Sequence, residues 1–335
     1  MTDSATDAPT DTTAPNTRGL IRKVMAMMLV AVLLYGAYTV YIGASAIADA
    51  LAHFAWWSFG AALTLAFCNY LLRFLKWEFY LARLDIRGVP KKESLLVFLA
   101  GFVLTVTPGK VGEVFKSALL AERRQIPMAR TAPIVIADRV TDVIGIAILI
   151  AIGSIGFAGG LMWALVGLGL VATLLVIVGS RTLSLGLLRL LERGPAPIAR
   201  MVPKLLTAYE SLAVLVSPKN LVVPALISVI AWSCECVALW VILHGFGQDT
   251  ALPLCLFFYA TSTLAGAIVP TPGGLGVTET LLQQGLTQLG QVPATFATAA
   301  MMLVRFATLW FAVLVGFVAL SLLRTVPVHD SSMPK

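Results

Sequence analysis

Long apolar runs separated by short basic loops set the pattern of this chain. A run of about 20 mostly apolar residues crosses roughly 30 Å of hydrocarbon as a helix. The chain is therefore predicted to be an all-α polytopic membrane protein. By this criterion it has about six full spans, which are Val24–Ala48, Ala55–Leu81, Pro133–Ile152, Leu161–Gly179, Leu221–Leu243 and Ala294–Leu323.

Two further apolar pieces are too short to cross, and a Pro-Gly sequence interrupts each of them. Ser94–Val106 stops at residues 107–110 and resumes as Val111–Leu120, while Pro253–Val269 stops at residues 270–274 and resumes as Leu275–Gly290. Both flanks of the first pair are basic, and neither flank of the second pair carries Lys or Arg. Each pair therefore begins and ends on one side, which predicts two re-entrant helical hairpins whose broken backbone is buried in protein or lines a cavity.

The two hairpins carry matching motifs, which indicates an internal repeat. The sequence T-P-G-K-V-G-E at 107–113 matches T-P-G-G-L-G at 271–276, with Glu279 slightly further along. Arg139 follows Thr107 by 32 residues, and Arg305 follows Thr271 by 34. The half-repeats, about 55–152 and 221–323, are expected to be inverted copies. Broken segments at corresponding positions of two halves point to a transport site.

Composition and charge agree with this interpretation. Hydrophobic residues make up 59% of the chain and charged residues 12%, about half the usual share of a soluble protein. The net charge of +7 is concentrated in loops, where it sets orientation, so we expect cytoplasmic termini and no nucleic-acid partner. The predicted membrane domain is 20–325, with an amphipathic cytoplasmic segment at 181–216, a disordered tail at 1–19 and a short tail at 326–335.

Several kinds of chemistry find no support in the sequence. The cysteines lie in apolar stretches without a nearby His, so we expect no disulfide, metal site or cofactor. There is no nucleotide-binding loop and no hydrolase or metalloprotease motif, which excludes ATP-driven transport by this chain alone.

The helix breaks themselves suggest what is bound. The half-helix that begins at each break exposes free N–H groups and the positive end of its dipole, which favours a phosphate or carboxylate. Ionisable residues within spans are functional candidates, and here these are Glu113, Asp138, Arg139, Asp142, Glu235, Glu279 and Arg305.

Some of these charges have an alternative structural role. Arg139 and Asp142 share a helix face, so this pair either joins neighbouring helices or binds substrate. Arg305 is expected to find its partner in Glu113 or Glu279. Arg73 and Lys76 are expected to extend to the cytoplasmic interface.

The motifs at 107–113, 138–142 (D-R-V-T-D), 270–279 and 303–305 (L-V-R) resemble those of the lysylphosphatidylglycerol synthase membrane domain, a family also called flippase-like integral membrane proteins. The resemblance covers roughly residues 20–325. It implies that a lipid with an anionic or modified headgroup moves between leaflets. By position it implies a transport site, to which we add Lys110 as a counter-charge, made of Pro108, Gly109, Gly112, Glu113, Arg139, Asp142, Pro272, Gly273, Gly274, Gly276, Glu279 and Arg305.

The chain departs from the best-known family members at its end. Only 11 residues follow Arg324, too few for the soluble domain that transfers an amino acid to the lipid. We therefore expect a non-enzymatic protein whose phosphate-bearing lipid is made by a separate enzyme. The first hypothesis is a lipid translocase of the bacterial inner membrane, and the second is a secondary transporter of a small soluble anion. A lipid-phosphate enzyme is disfavoured because the acids do not form a metal-binding cluster.

Overall fold

The computed structural model describes residues 43–106, 112–155, 157, 159–179, 202–269 and 271–326, with five single positions between 26 and 40. Most of the predicted first span, the predicted tails and residues 181–201 lie outside the described residues. All regular secondary structure within the described ranges is helical. Three helices there are long and apolar enough to cross a membrane, Trp56–Arg83, Pro218–Gly245 and Ala294–Thr325. The all-α membrane class is confirmed, whereas the number of spans stays a prediction.

The helices begin and end close to the apolar runs of the sequence. In chain order they are α1 (Ala44–Ala52), α2 (Trp56–Arg83), α3 (Lys91–Ala100), α4 (Gly112–Arg124), α5 (Met128–Thr131), α6 (Pro133–Ser154), α7 (Gly160–Gly179), α8 (Val202–Leu215), α9 (Pro218–Gly245), α10 (Leu252–Ile268), α11 (Val277–Gln288), α12 (Ala294–Arg305) and α13 (Phe311–Thr325).

Helices α2 and α9 pack against each other along their lengths and form the centre of the fold. The buried amide of Asn69 on α2 donates to the carbonyl oxygen of Ala231 on α9 at 2.8 Å. A polar side chain inside an apolar helix needs such a partner, because burying an unbonded amide is costly. The hydrogen bond therefore fixes how the two helices cross.

Each predicted hairpin folds back on itself. Hairpin 1 runs from Lys91 to Arg124 and hairpin 2 from Leu252 to Gln288. In hairpin 1, Glu93 at the start of α3 accepts a hydrogen bond from Arg123 Nε at the end of α4, at 2.9 Å. In hairpin 2, Gly285 of α11 packs so closely on Phe258 of α10 that an added Cβ would lie 2.8 Å from the ring. In each hairpin the second helix therefore runs back along the first.

The long helix that follows each hairpin in the chain packs against the other hairpin. Gly153 of α6 lies against hairpin 2, where an added Cβ would be 2.6 Å from the backbone nitrogen of Phe257. Gly316 of α13 lies against hairpin 1, with the same 2.6 Å separation from the nitrogen of Val103. Helix α6, which follows hairpin 1 in the chain, therefore packs on hairpin 2, and α13, which follows hairpin 2, packs on hairpin 1.

A single π-helical turn, Phe306–Trp310, joins α12 to α13 directly after Arg305. The wider turn alters the regular hydrogen-bond pattern, and such turns are frequent at functional sites. The phenol of Tyr70 on α2 donates to the carbonyl oxygen of Thr308 in this turn at 2.8 Å. The apolar pattern of Ala294–Leu323 carries no sign of this interruption.

Candidate functional site

One cavity of about 100 Å³ lies between the two hairpins. Since a water needs roughly 10–15 Å³ of such space, it has room for several waters or for one phosphate-sized group. Both hairpins line it, and α2, α6, α9, α12, the π turn and α13 complete its walls. The hairpin residues are Gly101, Phe102, Thr105 and Lys116 from the first and Tyr259, Thr263, Gly266, Ala267, Gly273, Gly274 and Thr278 from the second.

Basic side chains from four different helices converge on this cavity. They are Arg73 of α2, Lys116 of α4, Arg139 of α6 and Arg305 of α12, and the acidic side chain in the lining is Glu235 of α9. Such an excess of positive charge in the lining of a cavity attracts anions. The lining therefore fits an anionic ligand.

Arg305 is tied to the tip of hairpin 2. Its Nε donates to Glu279 Oε1 at 2.6 Å, and its guanidinium also donates to the carbonyl oxygen of Gly273 at 2.8 Å. The other carboxylate oxygen of Glu279 accepts the backbone N–H of Gly276 at 2.7 Å. The expected partner Glu279 is therefore found. Glu279 thereby occupies one of the N–H groups at the start of α11, which the sequence analysis expected to be free to bind a ligand.

Glycine is required at this tip. Gly273 and Gly276 have φ angles of 61° and 86°, in a region that residues with a Cβ rarely adopt. Pro272 begins the short 3₁₀ turn Pro272–Gly274, where its missing N–H costs nothing. The corresponding positions of hairpin 1, Pro108, Gly109 and Lys110, lie outside the described residues. Gly112 begins α4, and the side chain of Glu113 is outside the described set.

Lys76 is the centre of a buried ion-pair network. Its Nζ lies 2.7 Å from Asp138 Oδ1 and 2.6 Å from Asp142 Oδ1, and it donates to Ser228 Oγ of α9 at 2.7 Å. Arg73 reaches the same two carboxylates at 3.1 and 3.3 Å. The expectation that Lys76 extends to the interface is wrong, because its side chain is fully buried and its counter-charges lie beside it.

The side chains of Arg139 and Asp142 lie farther apart than expected for two oppositely charged residues three positions apart on one helix face. The closest approach of the two side chains is 3.9 Å, and the Arg139 side chain is 30% exposed. Asp142 lies closer to Lys76 and Arg73 than to Arg139. Arg139 thus contributes to the cavity wall, and the carboxylates of α6 are joined mainly to α2.

Lys116 is a cavity residue that sequence reasoning missed. Its buried Nζ lies 4.7 Å from the ring centroid of Phe98 and 5.4 Å from that of Trp77, in cation–π contacts. No motif includes it. The rule that marks ionisable residues inside apolar segments would have found it within Val111–Leu120.

A second group of polar side chains lines the wall formed by α9 and α10. The hydroxyl of Tyr259 donates to Glu235 Oε2 at 2.7 Å and lies 3.1 Å from Thr308 Oγ1. Two more lining groups, Trp232 Nε1 and Thr263 Oγ1, are buried and have no hydrogen-bond partner within the described part of the chain. Buried polar atoms are usually paired, so these two are suited to a bound water or ligand.

A comparison with known families decides the membership of this chain. The family model described as the lysylphosphatidylglycerol synthase TM region matches residues 27–316. The chain belongs to this family. The resemblance seen in its motifs is thereby confirmed. The protein is therefore membrane-embedded, and its family is consistent with a role related to membrane lipids.

Relatives in this family are distant in sequence. A UPF0104 membrane protein of Methanothermobacter thermautotrophicus (strain Delta H) is 25% identical over 285 residues, which are 77% of this chain and 83% of that protein. A second alignment to a protein of the same description and organism is 25% identical over 91 residues, 27% of each chain. The first alignment covers most of both chains, so the similarity extends across the membrane region.

Proposed function

We propose that this family member is a translocase that moves a phosphate-bearing membrane lipid between the leaflets of the bacterial inner membrane. The observation that carries the proposal is the convergence of Arg73, Lys116, Arg139 and Arg305 on one cavity between the two hairpins. Moving a charged headgroup out of water costs much free energy unless counter-charges replace its hydration. These side chains supply such counter-charges.

The packing suggests how the cavity would change sides. In carriers built from inverted repeats, one half moves against the other around a fixed site. Here α6 packs on hairpin 2 and α13 on hairpin 1, so a shift of one half moves the wall of the other. The proposal includes three further points. The two half-repeats are inverted copies, both hairpins enter the membrane without crossing it, and both termini are cytoplasmic.

The proposed roles differ between the cationic residues. Lys116 and Arg139 bind the phosphate, because both side chains line the cavity, the first from hairpin 1 and the second from α6. Arg305 positions the tip of hairpin 2 through Glu279 and Gly273. Lys110 and the Pro108–Gly109 break would complete the site from hairpin 1. No covalent step is required, so a separate enzyme would supply the lipid.

A second candidate is transport of a small soluble anion. The size of the cavity, about 100 Å³, supports it, because a free phosphate fits within that space. The two candidates share the same phosphate chemistry and differ in whether acyl chains remain in the bilayer.

Reconstitution tests the proposal. The protein is placed in phosphatidylcholine vesicles containing phosphatidylglycerol with a fluorescent nitrobenzoxadiazole (NBD) label on its acyl chain, and dithionite then bleaches label in the outer leaflet. We expect the wild type to expose inner-leaflet label, Lys116→Met/Arg139→Gln to do so much more slowly, and the exposed-site control Lys92→Met to match the wild type. Bleaching equal to that of protein-free vesicles would contradict the lipid proposal, and phosphate uptake by the same vesicles would then support the second candidate.

A further inference from the structure

Glu235 differs from the other buried acids in the described part of the chain. Glu93, Asp138, Asp142 and Glu279 each lie within 4.0 Å of a Lys or Arg nitrogen. No such ion pair involves Glu235 among the described residues, although its side chain is buried and lines the cavity. Its bonded neighbour is neutral, since Tyr259 donates to Oε2 at 2.7 Å.

The hydrogen bonding of Glu235 suits both of its protonation states. In the carboxylate, Oε2 accepts from Tyr259. In the carboxylic acid, Oε2 still accepts from Tyr259 while Oε1 carries the proton. Changing state therefore requires no rearrangement of Tyr259, which is itself placed by its contact with Thr308 in the π turn at 3.1 Å.

The charge of the surrounding wall links this proton to an anion. Helices around Glu235 present titratable and charged groups to the same region, namely Tyr70 and Arg73 of α2, Lys116 of α4, Arg139 and Asp142 of α6, Tyr259 of α10 and Arg305 of α12. Without a bound anion, burial favours the neutral form of Glu235 and the cations around it favour the ionised form. An anion among those cations offsets their field and adds a like charge, which favours the neutral form.

We propose that Glu235 is a proton-binding site whose occupancy is coupled to that of the anion in the cavity, so that one proton and one monoanionic phosphate group move together. The proposal rests on the translocase function above and adds its energy source. The proton comes from water on the side where the anion enters, forms an O–H bond with the carboxylate, and is released on the other side as the anion leaves. Because coupling is reciprocal, the proton strengthens anion binding as much as the anion strengthens proton binding.

The transport test uses the vesicles described above under a pH gradient of one unit, acidic outside. Coupling of one proton to one lipid sustains up to about tenfold more NBD-phosphatidylglycerol in the inner leaflet, since one pH unit corresponds to tenfold. We expect the wild type to create this asymmetry. Glu235→Gln should equilibrate the probe without asymmetry, and Glu210→Gln, at an exposed site on α8, should behave as the wild type. A wild type that moves the probe without asymmetry, or an asymmetric Glu235→Gln protein, would overturn the proposal.

An infrared titration of the purified protein keeps the proposal testable if no lipid moves. We expect the carbonyl band of a protonated carboxyl that is absent in Glu235→Gln and present in Glu210→Gln. Inorganic phosphate or dihexanoyl phosphatidylglycerol should raise its titration midpoint by about one pH unit, a tenfold coupling. A response to phosphate alone, without lipid movement, would refute the lipid translocase and retain the proton site. A midpoint insensitive to both anions, or a band unaffected by Glu235→Gln, would overturn the proton site.

Discussion

Gly273, at the tip of hairpin 2, lies against Val106, at the end of the first arm of hairpin 1. A Cβ added to Gly273 would be 3.1 Å from Val106 Cγ1 and 3.4 Å from its Cα. The end of the first arm of hairpin 1 and the tip of hairpin 2, 167 residues apart in the chain from Val106 to Gly273, thus meet beside the cavity.

Gly273→Ala should weaken this contact. The φ of 61° is unfavourable for alanine, and the new methyl group would press on Val106, so we expect a loss of about 1–3 kcal/mol. Thermal unfolding in detergent measures the change. Gly60→Ala is the matched control, because an added Cβ there meets nothing within 4 Å. Equal unfolding temperatures for the two variants would show that Gly273 and Val106 do not meet as described.

Lys76→Met should destabilise the protein strongly. It leaves Asp138 and Asp142 buried with Arg73 at 3.1 and 3.3 Å and Arg139 at 3.9 Å from Asp142, and removal of one partner of a buried ion pair costs about 3–5 kcal/mol. The unfolding temperature should fall well below that of Lys92→Met, whose side chain is exposed. A Lys76→Met protein as stable as this control would contradict the buried network.

Variants of the Arg305–Glu279 pair test stability and transport separately. Arg305→Met alone leaves a buried carboxylate without its closest cation, so it should be several kcal/mol less stable than the wild type. Adding Glu279→Gln removes the buried negative charge and should restore most of the stability, a coupling that a double-mutant cycle measures. NBD-phosphatidylglycerol translocation should stay low in both variants, because the tip of hairpin 2 is no longer held. Full translocation by the double variant would contradict the positioning role of Arg305.

The ends of hairpin 1 should respond to acid. Glu93 lies at the start of α3, outside the candidate membrane spans. Burial raises its pKa, but hydrogen bonds and charge from Arg124 and Arg123 lower it more, so the net pKa lies below the ordinary value of 4.5. A lowered pKa in the folded state means that this contribution to stability is present above about pH 4.5 and is lost as the pH falls through the folded value.

Comparing the wild type with Glu93→Gln tests this dependence. The wild type should be the more stable of the two at pH 7, and the difference in unfolding temperature should shrink steadily as the pH falls below 4.5. A difference that is constant with pH would show that the Glu93 carboxylate is not held by Arg123 and Arg124.

The sequence predicted local features better than long-range partners. The ends of α2, α9 and both hairpins follow from apolar length and from Pro-Gly breaks, which are properties of neighbouring residues. The depth of Lys76 depends on Asp142, 66 residues away, and no local pattern reports that distance. For the same reason Arg139 and Asp142 looked like a pair on their shared helix face, although Asp142 turns to α2.

Cavity residues outside the motifs were the hardest to predict. Lys116 of hairpin 1 and Trp232 of α9 come to the cavity only because both elements pack on α2. The π turn at Phe306–Trp310 leaves no trace in hydropathy, and yet it places Thr308 between Tyr70 and Tyr259. Arg305 and Glu279 were predictable because each lies at a fixed distance from a motif.

Native mass spectrometry of the gently purified protein tests the central claim most directly, because it reads the ligand of the cavity without a chosen probe. The wild type is compared with Lys116→Met/Arg139→Gln and with Lys92→Met. The account predicts that an anionic phospholipid is enriched over the bulk membrane in the wild type and in Lys92→Met and is lost from the double variant. Retained lipids that mirror the membrane equally in all three proteins would contradict a lipid-headgroup site.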